Sequence, residues 1–367
     1  MSTTEPHHHR ERIIADTIDA DVPRSDRRVD DPDFVAKVEA LVAECGLDPA
    51  TYDGRLVRDQ MTTALKLIYD GADTGELRLI TGAMKELRYA YTVFAGHQKT
   101  HKISIFGSAR TQPEHPDYAA CVEFSRKIAE HGWQVITGAG DGIMKAGHEG
   151  PGAESSFGLA IRLPFETTAN EVIAGDDKLI NFRYFFTRKL MFVSQAEAVA
   201  VFPGGFGTLD ELYESLTLVQ TGKSPIVPVV LIENPEGTYW THWANYCEHS
   251  LMKSGLISPE DMGLFHITRD IDDAVQHVCR FYRNYHSSRY VRDELVLRLK
   301  HHLRETDVAE LEREFAVLIK DGGMVQRGPL EVEREHLELP RLVFTHTKHK
   351  FGLVRALIDR INQLDPA

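Results

Sequence analysis

From Lys102 onward, short β-rich runs alternate with helical segments, and no other feature of the 367-residue chain constrains its fold as much. Strand-like runs stand at Ile103–Phe106, Gln134–Thr137, Phe157–Ile161, Ala198–Phe202, Val227–Leu231 and Phe265–Ile267. Helix-like stretches separate them at Tyr118–His131, Ile143–His148, Tyr184–Gln195, Thr208–Thr221, Tyr239–Ser254 and Ile271–Tyr285. This order predicts an α/β fold with a doubly wound parallel sheet and helices on both faces. Ligands of such sheets bind beyond the carboxyl ends of the strands. Three glycine-rich turns fall there: Gly107-Ser-Ala-Arg110, Thr137-Gly-Ala-Gly-Asp-Gly142 and Pro203-Gly-Gly-Phe-Gly-Thr208. One ligand could touch all three.

The flanking segments read differently. Residues 1–30 are polar and aperiodic, which predicts a flexible tail; its His7-His8-His9 run has no supporting residues of a metal site. Residues 31–99 read as an α-helical extension, with one amphipathic helix suggested by Leu56, Met61, Leu65, Leu67 and Ile68 and another by Leu77, Leu79, Ile80, Met84, Leu87 and Tyr91. Residues 100–287 hold the alternating strands and helices and the three glycine turns. Residues 288–367 read as a small α+β module. In it Leu295, Leu297 and Leu299 look helical, as do Leu311–Leu318 and Leu353–Leu364, with a strand at Leu342–Thr345.

Charge and composition exclude several classes of function. With 42 basic against 55 acidic residues the net charge is -13, which repels a phosphate backbone, so no nucleic-acid partner is expected. The best apolar run, Ile226–Ile232, is short and broken by Pro228, so no membrane span is expected. The first thirty residues lack the apolar core of a secretory signal. The four cysteines are far apart and form no CxxC pair, which points to a reducing, cytoplasmic setting rather than a disulfide framework or a zinc site. His97 and His101 lack a supporting acid and are read as non-metal. No Walker A loop, HExxH or GxSxG pattern occurs, and the second glycine turn matches the dinucleotide fingerprint only in part, because its last glycine would fall at Ile143.

The third turn carries the strongest local signal. Gly204, Gly205 and Gly207 let the backbone approach an anion, and Thr208 reads as the opening of a helix whose N–H groups attract a phosphate. Glu211 has two readings. Thr208-Leu-Asp-Glu211 matches a capping box, in which the glutamate bonds back to the cap. A carboxylate one turn below a phosphate cradle would also stand near a bound sugar, able to stabilise a glycosyl cation or orient water. In Tyr184-Phe-Phe-Thr-Arg-Lys189, Arg188 offers a planar fork for an anion and Lys189 a point charge, although such a pair on a helix also fits a solvated face. Phe185 and Phe186 read as core.

Together, Ile105-Phe-Gly-Ser-Ala-Arg110, Val135-Ile-Thr-Gly138, Phe185-Phe-Thr-Arg-Lys189 and Pro203-Gly-Gly-Phe-Gly-Thr-Leu-Asp-Glu211 resemble the LOG (Lonely Guy) family, nucleotide phosphoribohydrolases once labelled lysine decarboxylases. The matching stretches cover roughly residues 100–285, about half the chain. The resemblance implies a Rossmann-like domain that hydrolyses the N-glycosidic bond of a nucleoside 5′-monophosphate, AMP-like or cytokinin-type, without cofactor or metal. It implies Arg188 and Glu211 as catalytic, and Ser108, Gly138, Lys189, Gly204, Gly205, Gly207 and Thr208 as substrate-binding. It also implies a homodimer or higher homo-oligomer with sites near the subunit interface. Many relatives read GGGPGIMEA where this chain has Gly138-Ala-Gly-Asp-Gly-Ile-Met-Lys-Ala146, which sets Asp141 beside the expected phosphate site. That departure, with the two extensions, motivates an alternative: a nucleotide-binding sensor or scaffold without turnover. A pyridoxal phosphate enzyme would need Lys189 as its Schiff-base lysine.

Overall fold

The computed structural model describes residues 31–162 and 169–365; the expected tail 1–30 lies outside the described residues. Two compact units divide between Tyr89 and Ala90. The first holds α1 (Pro32–Glu44), α2 (Tyr52–Tyr69) and the start of α3 (Thr74–Ala95). Helix α1 falls within the expected α-helical extension, in a part for which no apolar stripe was named, and its signals are present: Asp31 caps Asp33 N–H at 2.8 Å and Pro32 takes the first helical position. Thr51 caps α2 in the same way through Gly54 N–H, at 3.1 Å. The division falls inside α3, ahead of the expected boundary at residue 100.

The larger unit begins with β1 (Lys102–Phe106), α4 (Pro116–Glu130), β2 (Gln134–Thr137), α5 (Ile143–Glu149), β3 (Ser156–Ile161) and β4 (Leu179–Phe182). It continues through α6 (Phe185–Gln195), β5 (Ala198–Val201), α7 (Phe206–Gln220), β6 (Val229–Ile232), α8 (Tyr239–Tyr246), β7 (Phe265–Thr268) and α9 (Ile271–Phe281). These seven strands form one parallel sheet in the order β4-β3-β2-β1-β5-β6-β7. Strands β1, β5 and β6 are buried along their whole length, as the helices on both faces require, which is why they read as continuous apolar runs. The strand order reverses between β1 and β5, so the turns after these two strands open a crevice at the switch point.

A second sheet follows: β8 (Tyr285–Val291), β9 (Glu294–Leu299), β10 (Ile319–Arg327) and β11 (Arg341–His346), antiparallel in the order β10-β11-β9-β8, with α10 (Glu305–Glu314) and α11 (Phe351–Gln363). Here one expectation is corrected. Leu295, Leu297 and Leu299 lie on β9, not on a helix; their spacing of two puts all three on one face of the strand, in the core shared with the large sheet. Val296 and Arg298 on the opposite face are also buried, and only Val296 interrupts the polar side of the alternation that Glu294, Arg298 and Lys300 keep.

Candidate active site

The three glycine turns meet at the crevice. Ser108 N–H donates to Pro203 O at 3.1 Å and Ile143 N–H donates to Ser108 O at 3.0 Å, so the turns after β1, β2 and β5 are tied together by backbone bonds. Gly142, at φ +62°, permits this approach: a Cβ there would stand 2.3 Å from Ser108 O. Tyr239 on α8 fixes the third turn from outside, its hydroxyl donating to Gly204 O at 2.7 Å. His148, buried under the second turn, meets Thr137 Oγ1 at 2.9 Å and Asn170, whose Nδ2 donates to Gly140 O at 3.0 Å. Burial holds the His148 imidazole below its ordinary pKa, so it supports the turn as a neutral hydrogen-bonding group.

Helix α7 starts earlier than its sequence suggested. Gly205 is the N-cap, and the N–H groups of Thr208 and Leu209 both donate to Gly205 O. Thr208 therefore sits buried inside the first turn, and the capping-box reading of Thr208 and Glu211 is corrected: no side chain caps this helix. The N–H groups of Phe206 and Gly207 have no acceptor within the helix, and no atom stands within 4 Å of a Cβ built at Gly205 or Gly207. That end of α7 is an open anion cradle.

Released from capping, Glu211 points elsewhere. Its Oε2 is buried with no hydrogen-bond partner. Burial pushes its carboxyl up to about 7, against the pull of Lys189 and Arg188 and reinforced by Glu214 and Asp210. Arg188, on α6, is held by backbone carbonyls: Nε donates to Leu159 O at 2.7 Å and a terminal nitrogen to Gly138 O at 3.4 Å. Its guanidinium also lies 5.2 Å from the Phe192 ring centroid. A Cβ at Gly138 would come within 2.3 Å of the same guanidinium, so this glycine makes room for Arg188.

These groups line one cavity of about 1330 Å³. Of the expected residues, Ser108, Gly138, Arg188, Gly204, Gly205, Gly207, Thr208 and Glu211 line it. Lys189 does not. Its ammonium bonds Glu214 at 2.6 Å and Asp210 at 3.0 Å on α7. Burial works against its charge, but those two hydrogen bonds hold it above the ordinary lysine range. Among the described residues no lysine lines the cavity, and a charged, doubly paired Lys189 cannot serve as a Schiff base, so these residues do not fit pyridoxal phosphate. Asp141 is exposed and does not line the cavity, which removes the charge conflict expected at the phosphate cradle. Among the described residues no group of three or more His, Cys, Asp or Glu is placed to hold a metal ion. No helix among them is long and apolar enough to cross a membrane.

The cavity also holds residues that sequence reasoning missed. Arg110, Arg162 and Asn181 line it, as do Phe185 and Phe206. The assignment of Phe185 and Phe186 to the core is corrected: they are 56% and 52% exposed, and Phe206 is 94% exposed. Arg110 stood in the first glycine turn and could have been noticed there. Arg162 and Asn181 carry no motif; only strand pairing brings them together.

A family model described as possible lysine decarboxylase matches residues 137–278. The cytokinin riboside 5′-monophosphate phosphoribohydrolase of Mycobacterium tuberculosis is 27% identical over 173 residues, covering 44% of this chain and 87% of that protein. Among solved structures, the molybdenum cofactor carrier protein of Chlamydomonas reinhardtii is 20% identical with a TM-score of 0.35, over 50% of this chain and 98% of that one. DNA processing protein A of Helicobacter pylori is 13% identical with a TM-score of 0.35, over 49% of this chain and 81% of that one.

Proposed function

We propose, from the premise that the central domain of this chain belongs to the LOG family, that it hydrolyses the N-glycosidic bond of a nucleoside 5′-monophosphate to free base and ribose 5-phosphate. The observation that carries this reading is the convergence, in one cavity, of an anion cradle, a guanidinium locked by backbone carbonyls, and a half-buried carboxyl with an unpartnered oxygen. The 5′-phosphate sits on the N–H groups of Phe206 and Gly207 with the Thr208 hydroxyl, and Arg110 adds a cation from the first turn. Arg188 orients the nucleotide. As the C1′–N bond breaks, its electron pair leaves on the base, and ionised Glu211 stabilises the positive charge on the sugar. Water then bonds C1′, and Glu211 takes its proton and passes it to the departing base nitrogen. The low polarity that raises the Glu211 carboxyl also strengthens its field at C1′. The homologue's name supports this reaction class, and the cytokinin-type substrate in that name is one candidate among several.

The exposed Phe185 and Phe206 of the cavity lining, with the exposed Phe186 next to Phe185 in the chain, support a homo-oligomer in which a second copy covers this rim. Light scattering on the intact chain tests that assembly, and a strictly monomeric mass rejects it. For the reaction, purified protein is incubated with AMP, GMP, CMP and isopentenyl-AMP while free base and ribose 5-phosphate are followed. Base release that falls about 100-fold or more in Glu211→Ala supports the hydrolase. Saturable nucleotide binding with no release from any of them overturns it in favour of a sensor.

A further inference from the structure

The cavity runs from the β1/β5 switch point, where the phosphate cradle lies, toward the far edge of the sheet. Strands β3 and β4 are the second and third neighbours of β1 on that side. At about 4.8 Å per strand they stand roughly 10 and 14 Å from it. Between them and the cradle the cavity is lined by Gly138, Ala139 and Gly140 after β2, with the Met144 thioether and the Arg188 guanidinium packed against the two glycines. A nucleotide anchored at the cradle and laid across that floor brings its base over the carboxyl ends of β3 and β4. There Ala160 pairs in register with Asn181, and Arg162 follows two residues on, so the three share one face of the sheet. All three line the cavity. The Arg162 guanidinium makes no ion pair among the described residues, nor does the Asn181 amide make a side-chain hydrogen bond among them.

We propose that Arg162 and Asn181 read the base, and that they select 6-oxopurine nucleotides over adenine nucleotides. A guanidinium offers only donors, in a fixed fork. The matching base edge carries two acceptors side by side, the O6 and N7 of guanine or hypoxanthine, the edge with which arginine pairs bidentately in the DNA major groove. The Asn181 carbonyl accepts from the N1–H that accompanies a 6-oxo group. Adenine keeps N7 but turns an amino donor toward the guanidinium in place of O6, so the bidentate pair is lost; the Asn181 amide can turn and donate to the unprotonated N1, which leaves the discrimination to Arg162. Ala160 between them keeps the floor low enough for the ring.

This inference rests on the nucleotide reading above, and its test separates the two. IMP and AMP differ only at C6 and its neighbouring N1, so their kcat/KM ratio isolates the contacts at issue. The intact protein is expected to favour IMP by about tenfold or more, with the ratio collapsing toward one in Arg162→Ala and mainly through KM for IMP. Arg162→Lys keeps the charge but loses the fork, and is expected to lose most of the discrimination as well. An IMP-to-AMP ratio near one in the unaltered protein, or a ratio unchanged in Arg162→Ala, overturns the assignment. Should neither nucleotide be hydrolysed, the reaction itself falls; calorimetric titration of IMP and AMP into the unaltered protein and Arg162→Ala then decides on base selection alone, with equal affinities rejecting it.

Discussion

Glu211 shows how one carboxyl acquires two consequences from one cause. Burial lifts its pKa to about 7, so the ionised form that the proposed reaction uses accumulates only as the pH passes neutrality. Nucleotide hydrolysis, measured as kcat/KM, is therefore expected to rise with pH up to about 7 and then level off. The linkage to stability has the opposite sense. The folded chain binds this proton between the ordinary carboxylate range and about pH 7, where the unfolded chain has lost it, so Glu211 makes the fold less stable as the pH climbs through that window. Glu211→Gln is expected to lose turnover about 100-fold or more, yet to melt roughly 2 to 4 °C higher at pH 8, by calorimetry. A variant that loses activity without this gain would place the residue's role in folding. Arg188→Lys is not a mild change here, because a lysine cannot reach the Leu159 and Gly138 carbonyls together; turnover is expected to fall about as far as in Arg188→Ala.

At the scale of elements, the site depends on how three turns pack. Gly142 stands in the left-handed region with Ser108 O against the place of its missing side chain. Gly142→Ala is expected to cost roughly 1 to 3 kcal/mol in denaturant unfolding and to weaken nucleotide affinity, because the turns after β1 and β2 must part. Unchanged stability would mean the turns are not coupled. The legibility of these elements in the sequence was uneven, for local reasons. The six strands read from Ile103 to Ile267 all form, since each is an apolar run bounded by glycine or polar turns. Strand β9 carries the strand period in its sequence, with Leu295, Leu297 and Leu299 alternating with Glu294, Arg298 and Lys300, and the helical reading passed over it. The start of α7 was misread because a threonine followed by Glu211 imitates a cap, while Gly205 ends the preceding turn and takes that place.

Across the larger unit, the carboxy-terminal sheet is not an appendage: its core is continuous with that of the parallel sheet through β9, β11 and α11. It is pinned by a buried cluster in which Glu333 accepts from Arg298 and Arg341, at 2.9 and 3.0 Å. Burial alone would raise the Glu333 carboxyl, but hydrogen bonds from Arg341, Leu330 N–H and Arg298 outweigh it and hold it at about 2. Its contribution is present above the ordinary carboxylate range and is lost only as the pH falls through about 2. Glu333→Ala leaves two guanidinium groups buried without their carboxylate and is expected to destabilise the unit by about 3 to 5 kcal/mol, measured by urea unfolding. A loss below about 1 kcal/mol would mean that the two arginines find other partners.

The sequence by itself determined six strands of the parallel sheet, the helices between them and the three glycine turns, while Arg188 and Glu211 stood out as a pair only through the family resemblance. The strands, helices and turns are written in short-range patterns: apolar runs bounded by glycines and polar residues. Tertiary structure alone decided what those residues do. Glu211 is raised to about 7 because the fold buries it. Lys189 leaves the cavity because α7 presents two carboxylates to it. Arg162 and Asn181 become neighbours because β3 and β4 pair in parallel register. Burial, charge pairing and strand register all depend on residues distant in the chain, and a pattern read a few residues at a time holds no record of them.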